Sequence, residues 1–371
     1  MRLQNKIMTT YKYKLQNQKN LIELGNIIDD CWYVHTHFIK LIRRYWRIYK
    51  KYPGKSKLSK HLAKLKKRKQ YHWYEVPSQV LQDIINRIDL GYQKFFNHKK
   101  KGGRKVGFPK FFKRENYRSM TWPQHGYKIE KNRIFIGRPR KQKWYSFHKH
   151  RDYKGVIKTI TIKRDKCGDY FLTIVTDHIL KEDLPKTGSS VGMDFGLKTF
   201  LTLSDGQQIE SPRFFEQSIK DVRKAHKALS RKKKGSNNWY KSLRTLQHLY
   251  RKITRKRTDW FWKLAKDLCK QFDTICIEDL NIDGMKRLWG RKVSDYAFYS
   301  FVSILERQGN KFDKHIVKIG RFFPSTKLCS KCGYKQQLTL ADRIWKCNSC
   351  NTTHDRDLNA AQNILMAGIT A

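Results

Sequence analysis

The chain has 371 residues, enough for two or three domains, and its 39% hydrophobic and 13% aromatic content argues against wholesale disorder. Its 81 Lys and Arg against 31 Asp and Glu leave a net charge of +50, which makes nucleic acid the default partner, because each phosphate contact releases counterions. No apolar run approaches the roughly 18 residues of a spanning helix, and the first residues hold no signal-like apolar region; no membrane role is expected, and a cytosolic or nucleoid location is.

Residues 7–14, IMTTYKYK, alternate like a short strand. From Leu21 the apolar residues then recur at spacings of three and four: Leu24, Ile28, Cys31 or Trp32, Phe38, Ile42, Trp46 and Tyr49. With Lys and Arg opposite, that stripe predicts an amphipathic helix, broken at Tyr52-Pro53-Gly54. A second helix fits 57–70, and a third fits 78–96 through Leu81, Ile84, Ile88 and Phe95. The run from His98 to Lys105 is a basic, glycine-rich loop, either simply solvated or in contact with phosphate. From 117 to 177 the pattern turns to strands, ending in a hairpin joined near Lys166-Cys167-Gly168. One β-rich unit is thus interrupted by a helical insert at 15–97, and Leu184 to Gly188 reads as a linker.

Beyond the linker come strands at 189–197, 198–204 and 207–211, then a very basic helical stretch over 216–270 with a break at Gly235-Ser236-Asn237-Asn238. A strand at 273–280, a helix at 295–312, a strand at 314–320 and a last helix at 358–366 complete the chain. Three consecutive strands followed by alternating helix and strand is the order of a ribonuclease H-like fold. In the long helix, Trp239, Leu243, Leu246, Tyr250 and Ile253 recur at helical spacing, and Trp260 and Trp262 come after them. The aliphatics read as core. The tryptophans are either core or platforms on which bases stack.

Acidic residues are scarce in this chain, so those at element ends draw interest. In VGMDFGL, strand alternation puts Gly192, Asp194 and Gly196 on one face and Met193, Phe195 and Leu197 on the other. The large side chains can pack while the glycines leave Asp194 uncrowded; the plainer alternative is a strand-end Asp at a turn. TICIEDLNI places Glu278 and Asp279 at the end of an apolar strand, where sites in open α/β sheets gather. The two point to opposite faces, and spacing does not choose between them; Asp279 also suits a cap or turn. Asp355 and Asp357 precede the helix LNAAQNILMAG, where Asp357 serves either as an N-cap or as a metal ligand. Carboxylates far apart in sequence, each at an element end, suit a phosphodiesterase that uses two Mg2+ ions about 3.5–4 Å apart. There is no P-loop and no Ser/His/Asp constellation.

Cys329, Cys332, Cys347 and Cys350 form C-x2-C-x14-C-x2-C, one residue short in the middle of the usual four-cysteine zinc pattern. A closed set of four thiolates predicts one structural Zn2+ that folds a loop poor in apolar residues and orients the acid-bearing segment after it. Cys31, Cys167, Cys269 and Cys276 read as small buried hydrophobes in a reducing compartment.

Taken in order, TTYKYKL, GFPKFFKR, VGMDFGLKTFLTLSDG, LSRKKKGSNN, ICIEDLNI, SDYAFYSF, RFFPSTKLCSKCG and HDRDLNAAQNI resemble the TnpB family, encoded by bacterial insertion sequences and related to type V CRISPR nucleases. Thr326 stands where that family commonly has a second Ser. The resemblance implies a multidomain α+β protein: a β-barrel wedge at 1–14 and 98–185, a helical recognition domain at 15–97, a ribonuclease H-like (RuvC) nuclease domain at 186–321 and 354–371, and a zinc ribbon at 322–353. It implies a monomer on one guide RNA in a bacterial or archaeal cytosol, cutting double-stranded target DNA beside a short flanking motif, with base pairing reading the sequence. By motif it selects Asp194, Glu278 and Asp357 as the catalytic, Mg2+-holding carboxylates, over Asp279 and Asp355.

Other classes fit parts of the chain. A nuclease-inactive RNA-guided repressor fits all but the filled acidic positions. A zinc-ribbon protein that binds RNA without sequence preference explains charge and cysteines but leaves Asp194 and Glu278 idle. A strand-joining transposase is opposed by the resemblance, whereas a DNA-binding accessory protein of transposition stays open as an alternative.

Overall fold

The computed structural model describes residues 8–16, 18–68, 72–101, 106–137, 142–196, 198–279, 296–339 and 342–370. It divides into two compact units, 1–179 and 180–371. Among the described residues no helix is long and apolar enough to cross a membrane.

The first unit opens with β1 (Thr9–Leu15), in which Tyr11, Tyr13 and Leu15 are buried and Lys12 and Lys14 face out. Helices α1 (Gln18–Tyr49), α2 (Gly54–Lys67) and α3 (Ser78–Lys101) come after it. Six more strands complete the unit: β2 (Ser119–Trp122), β3 (Tyr127–Glu130), β4 (Arg133–Gly137), β5 (Gln142–His148), β6 (Ile157–Arg164) and β7 (Tyr170–Thr176). All pairings are antiparallel, in the order β2-β6-β7-β1-β5-β4-β3, and the sheet nearly closes into a barrel. β1 therefore sits inside the sheet, in register with β7 from Thr9↔Thr176 to Lys14↔Phe171. β6 and β7 form the expected hairpin, and its turn takes Gly168 to φ 88°, the left-handed region that favours glycine.

The stripe on α1 resolves in favour of Cys31, which is fully buried. Trp32 lies at its edge and donates from Nε1 to the Phe112 carbonyl at 2.7 Å. The stripe ends sooner than expected, since Tyr49 is exposed. Of the basic loop at 98–105, residues 102–105 lie outside the described residues.

The second unit is built on strands β8 (Ser190–Asp194), β9 (Leu201–Leu203), β10 (Gln208–Ile209), β11 (Thr274–Glu278) and β12 (His315–Ile319), ordered β10-β9-β8-β11-β12. β8, β11 and β12 run parallel, and β9 and β10 run antiparallel beside them. Between β10 and β11 lie α4 (Phe214–Gln217), α5 (Ile219–Ser230) and α6 (Asn237–Gln271). The break before α6 is a cap: Ser236 accepts from the Trp239 amide at 3.2 Å. Leu246 and Ile253 of α6 are buried, Trp260 packs edge-on against Phe200, and Trp262 stays exposed. Helix α7 (Phe298–Phe312) joins α6 over Val191, Met193 and Phe200 to make the aromatic core of one face.

The other face is covered by the last helix, α8 (Arg356–Ile369), whose Ile364 packs with Cys276 and Ile319 of the sheet. Its approach is close enough to need glycine twice. A Cβ on Gly192 would collide with the Ala361 carbonyl oxygen and lie 2.6 Å from the Leu365 amide nitrogen. One on Gly368 would strike the Cys276 side chain, with the Cβ atoms 2.7 Å apart. Gly192 therefore does not leave open room beside Asp194, as strand alternation alone suggests; the backbone of α8 fills that room. Gly192→Ala is expected to destabilise this unit by about 3 kcal/mol or more, because two backbones must separate. Denaturant unfolding measures the loss; a cost within about 0.5 kcal/mol, the range of a neutral surface change, would refute the packing.

Candidate active site

Strands β8 and β11 run parallel with Met193 opposite Ile277, so the residues that end them, Asp194 and Glu278, emerge side by side. Met193 and Ile277 point into the aromatic core, which turns both acids toward the α8 face. Helix geometry then supplies the third acid. Ala361 sits on Gly192. From Gly192 to Asp194 the strand advances about 6.6 Å, and from Ala361 back to Asp357 the helix retreats about 6 Å, one turn, on the same face. Asp357 thus arrives at the level of Asp194.

The electrostatics carry the imprint of that meeting. The Asp194 carboxyl is lifted from 3.8 to about 7, first by burial, then by Glu278 and Asp357, with Arg356 opposing. Burial also lifts Glu278, against the pull of the Ser325 hydroxyl, which donates to Glu278 Oε1. Asp279 points elsewhere, into an exposed pair with Arg321 at 2.6 Å.

The N-cap of α8 is Asp355, which accepts from the amides of Asp357 at 3.0 Å and Leu358 at 2.9 Å. Asp357 is therefore not the cap; it stands inside the first turn. Among the described residues its carboxylate has two loose cationic neighbours, Arg343 Nη1 at 3.4 Å and Arg356 Nε at 3.5 Å. Three carboxylates that sense one another, with Asp194 raised first by burial and then by the other two, form an oxygen donor set whose like charge Arg356 only partly offsets. That chemistry fits hard divalent cations such as Mg2+.

The four cysteines form a tighter group, with all sulfurs within 4.8 Å of one another; the three carboxylates do not form such a closed set among the described residues. The pairs Cys329–Cys350 and Cys332–Cys347 are 3.6 Å apart and unbridged. Four thiolates at about 2.3 Å from a tetrahedral zinc would be about 3.8 Å apart, so the cluster fits that ion. Each Cys-x-x-Cys turns back through a left-handed residue, Gly333 and Asn351, whose amides donate to the carbonyls of Cys329 and Cys347. His354 Nε2 lies 3.1 Å from Cys329 Sγ and its ring packs on Trp345.

Polar residues of α8 bind the two sites together. Asn359 Nδ2 donates to the Leu328 carbonyl at 2.7 Å, and its Oδ1 accepts from the Ser330 amide at 2.9 Å. Asn363 Nδ2 reaches the carbonyls of Ser325 and Leu328, both at 2.7 Å. Sequence reasoning missed Ser325, His354, Asn359 and Asn363. The available signal was the pair of Asn residues four apart, on one face of a helix whose buried positions are otherwise apolar or small.

A family model described as a probable transposase, OrfB of IS605, matches residues 171–288, and the TNB domain model of Cas12f1-like proteins matches 298–364. A Streptomyces pristinaespiralis protein named as an RNA-guided DNA endonuclease is 30% identical over 301 residues, 80% of this chain and 73% of the relative. The chain belongs to the TnpB family. Among other TnpB-family relatives, Escherichia coli InsQ, also named as an RNA-guided DNA endonuclease, is 28% identical over 86% of this chain and 81% of its own. The TnpB-family fold is shared with Cas12f1 from a complex with sgRNA and target DNA, at a TM-score of 0.58 and 15% identity, covering 94% of this chain and 83% of that one. It is likewise similar to the mini-RNA-guided endonuclease CRISPR-Cas_phi3, at a TM-score of 0.53 and 9% identity, covering 98% and 92%.

Proposed function

We propose that this TnpB-family chain is an RNA-guided DNA endonuclease, working as a monomer on one guide RNA and hydrolysing target DNA in a RuvC-type site. The observation that carries the reading is the convergence of Asp194, Glu278 and Asp357 at the open end of β8 and β11. The strand order β10-β9-β8-β11-β12 supports a ribonuclease H-like core at 186–321 and 354–371, with a zinc ribbon at 322–353. The barrel strands, with α1 to α3 between the first and second, support a wedge at 1–14 and 98–185 with a helical recognition insert at 15–97.

Asp194, Glu278 and Asp357 would hold two Mg2+ ions, which when bound supply Lewis acidity toward the phosphate and acidify the attacking water. The chain's own contribution is positioning. The Ser325 hydroxyl fixes the rotamer of Glu278. Asp355 caps α8 and so sets the angle at which Asp357 enters. The helix N-terminus, with its partial positive charge, favours the acids gathered there. A structural Zn2+ on Cys329, Cys332, Cys347 and Cys350 would hold the segment that carries Ser325 against α8.

The test is to sequence the RNA that purifies with the protein, then to offer DNA matched to it. A defined RNA ending in a variable segment, with cleavage of matched DNA only when Mg2+ is supplied, is expected. Bulk degraded RNA, with matched and unmatched DNA treated alike, would overturn the guided reading.

A further inference from the structure

One stretch shared with the family, GFPKFFKR at 107–114, has no part in the site described above. It borders a cavity of about 340 Å3 in the first unit, under α1 and α3, a size within the ~300–1,000 Å3 of small-ligand sites. Ile39, Ile84 and Ile88 make the apolar floor. One wall is aromatic: the His35 ring stands 5.1 Å from Phe112 and 5.6 Å from Tyr117. His35 is 8% exposed, and its Nδ1 is buried without a hydrogen-bond partner.

We propose that this cavity receives one unstacked nucleobase of the bound nucleic acid, its ring against Phe112 and His35 and its phosphate among Arg87, Lys110 and Arg118. The proposal rests on the nucleic-acid partner assigned above. Several features favour a base over an apolar metabolite. Phe112 is 50% exposed and unusually open for a phenylalanine that lines a cavity. Its neighbour Phe111 is 41% exposed and already carries Arg43 over its ring at 4.3 Å. Aromatic faces interleaved with cations are the pattern by which proteins hold single-stranded bases. Burial and then Arg87 hold the His35 imidazole down to about 4, so at neutral pH it is an uncharged ring. A polar guest can satisfy its Nδ1 after a rotation of that ring.

The experiment uses the full-length chain and short single-stranded oligonucleotides, RNA carrying 5-iodouridine in one arm and DNA carrying 5-iodo-2′-deoxyuridine in the other. After irradiation and nuclease digestion, the crosslinked peptides are sequenced. Adducts on Phe112, Tyr117 or His35 are expected, and the arm that yields them identifies the source of the base. Two variants accompany the wild type. Gly91→Leu fills the cavity from α3, where an added Cβ meets only Pro109 Cγ at an ordinary 3.5 Å; Phe112→Leu removes an exposed ring. Each is expected to lose the adducts and to weaken oligonucleotide binding about tenfold, the scale of one base stack. Adducts confined to other sites, or Gly91→Leu labelled and bound like wild type, overturn the proposal. Guided cleavage that persists without cavity adducts sinks the cavity alone, whereas absence of any nucleic-acid binding sinks both readings.

Discussion

Asp194→Asn is expected to lower DNA cleavage by on the order of 10³-fold or more, yet to yield the more stable protein in magnesium-free buffer at neutral pH. Both effects come from one cause. In the folded chain Asp194 binds its proton up to about 7, against an ordinary 3.8. Between those values the folded state holds a proton that the unfolded state has released, so rising pH removes stability. Below 3.8 both states are protonated and nothing is lost; above about 7 the whole penalty is present. Asn carries no such penalty. The melting temperatures of the two proteins should coincide near pH 4 and diverge by several degrees near pH 8, at ~2–4 °C per kcal/mol for a unit of this size. Measured by calorimetry across that range, a variant that is equally destabilised at both ends would remove Asp194 from the like-charged cluster. Retained cleavage would remove it from the chemistry.

Cys347→Ser is expected to cost more than its ion. Cys347 is fully buried, 3.6 Å from Cys332. Without a bound zinc the two knuckles would rest on a small apolar cluster around Trp345 and on hydrogen bonds to α8, and structural zinc is worth about 10 kcal/mol or more of folding free energy in small metal domains. The loss propagates, because Leu328 and Ser330 are hydrogen-bonded to Asn359, and Ser325 to Asn363. Elemental analysis should show no bound zinc. Limited proteolysis should cut between residues 322 and 353, and cleavage of DNA should fall with Glu278 and Asp357 no longer braced. Full zinc content in the variant would mean that the cysteines do not hold it; zinc lost with cleavage intact would mean that the ribbon does not brace the site.

The acids that end β8 and β11 draw notice because each closes a short apolar strand, but spacing leaves Glu278 and Asp279 open; the family resemblance selects Glu278, and in the folded chain Asp279 is taken up by Arg321. The four cysteines were legible from spacing alone. Gly192 was misread in its purpose, since its partners Ala361 and Leu365 are about 170 residues away and no local pattern announces a backbone meeting. The choice between Asp355 and Asp357 was also closed to spacing: it turns on which side chain folds back onto the amides of the first helical turn, and Asp355 does so. Asn359 and Asn363 hid inside an apolar helix because propensity weighs residues singly, whereas their role depends on carbonyls left bare by the cysteine knuckles.

The place of β1 has a consequence for how the chain assembles. Its partners, β5 and β7, lie more than a hundred residues downstream, so β1 must wait for both before it can be paired. Loop closure over such a distance is slow, whereas α1, α2 and α3 consolidate through nearer contacts. On that basis the helices are expected to form before β1 is paired, and the sheet becomes continuous only when β5 and β7 dock on either side of it. An unpaired β1 would offer its amides and carbonyls to any other strand, and outward lysines such as Lys12 and Lys14 are the kind of charge that disfavours such wrong pairing.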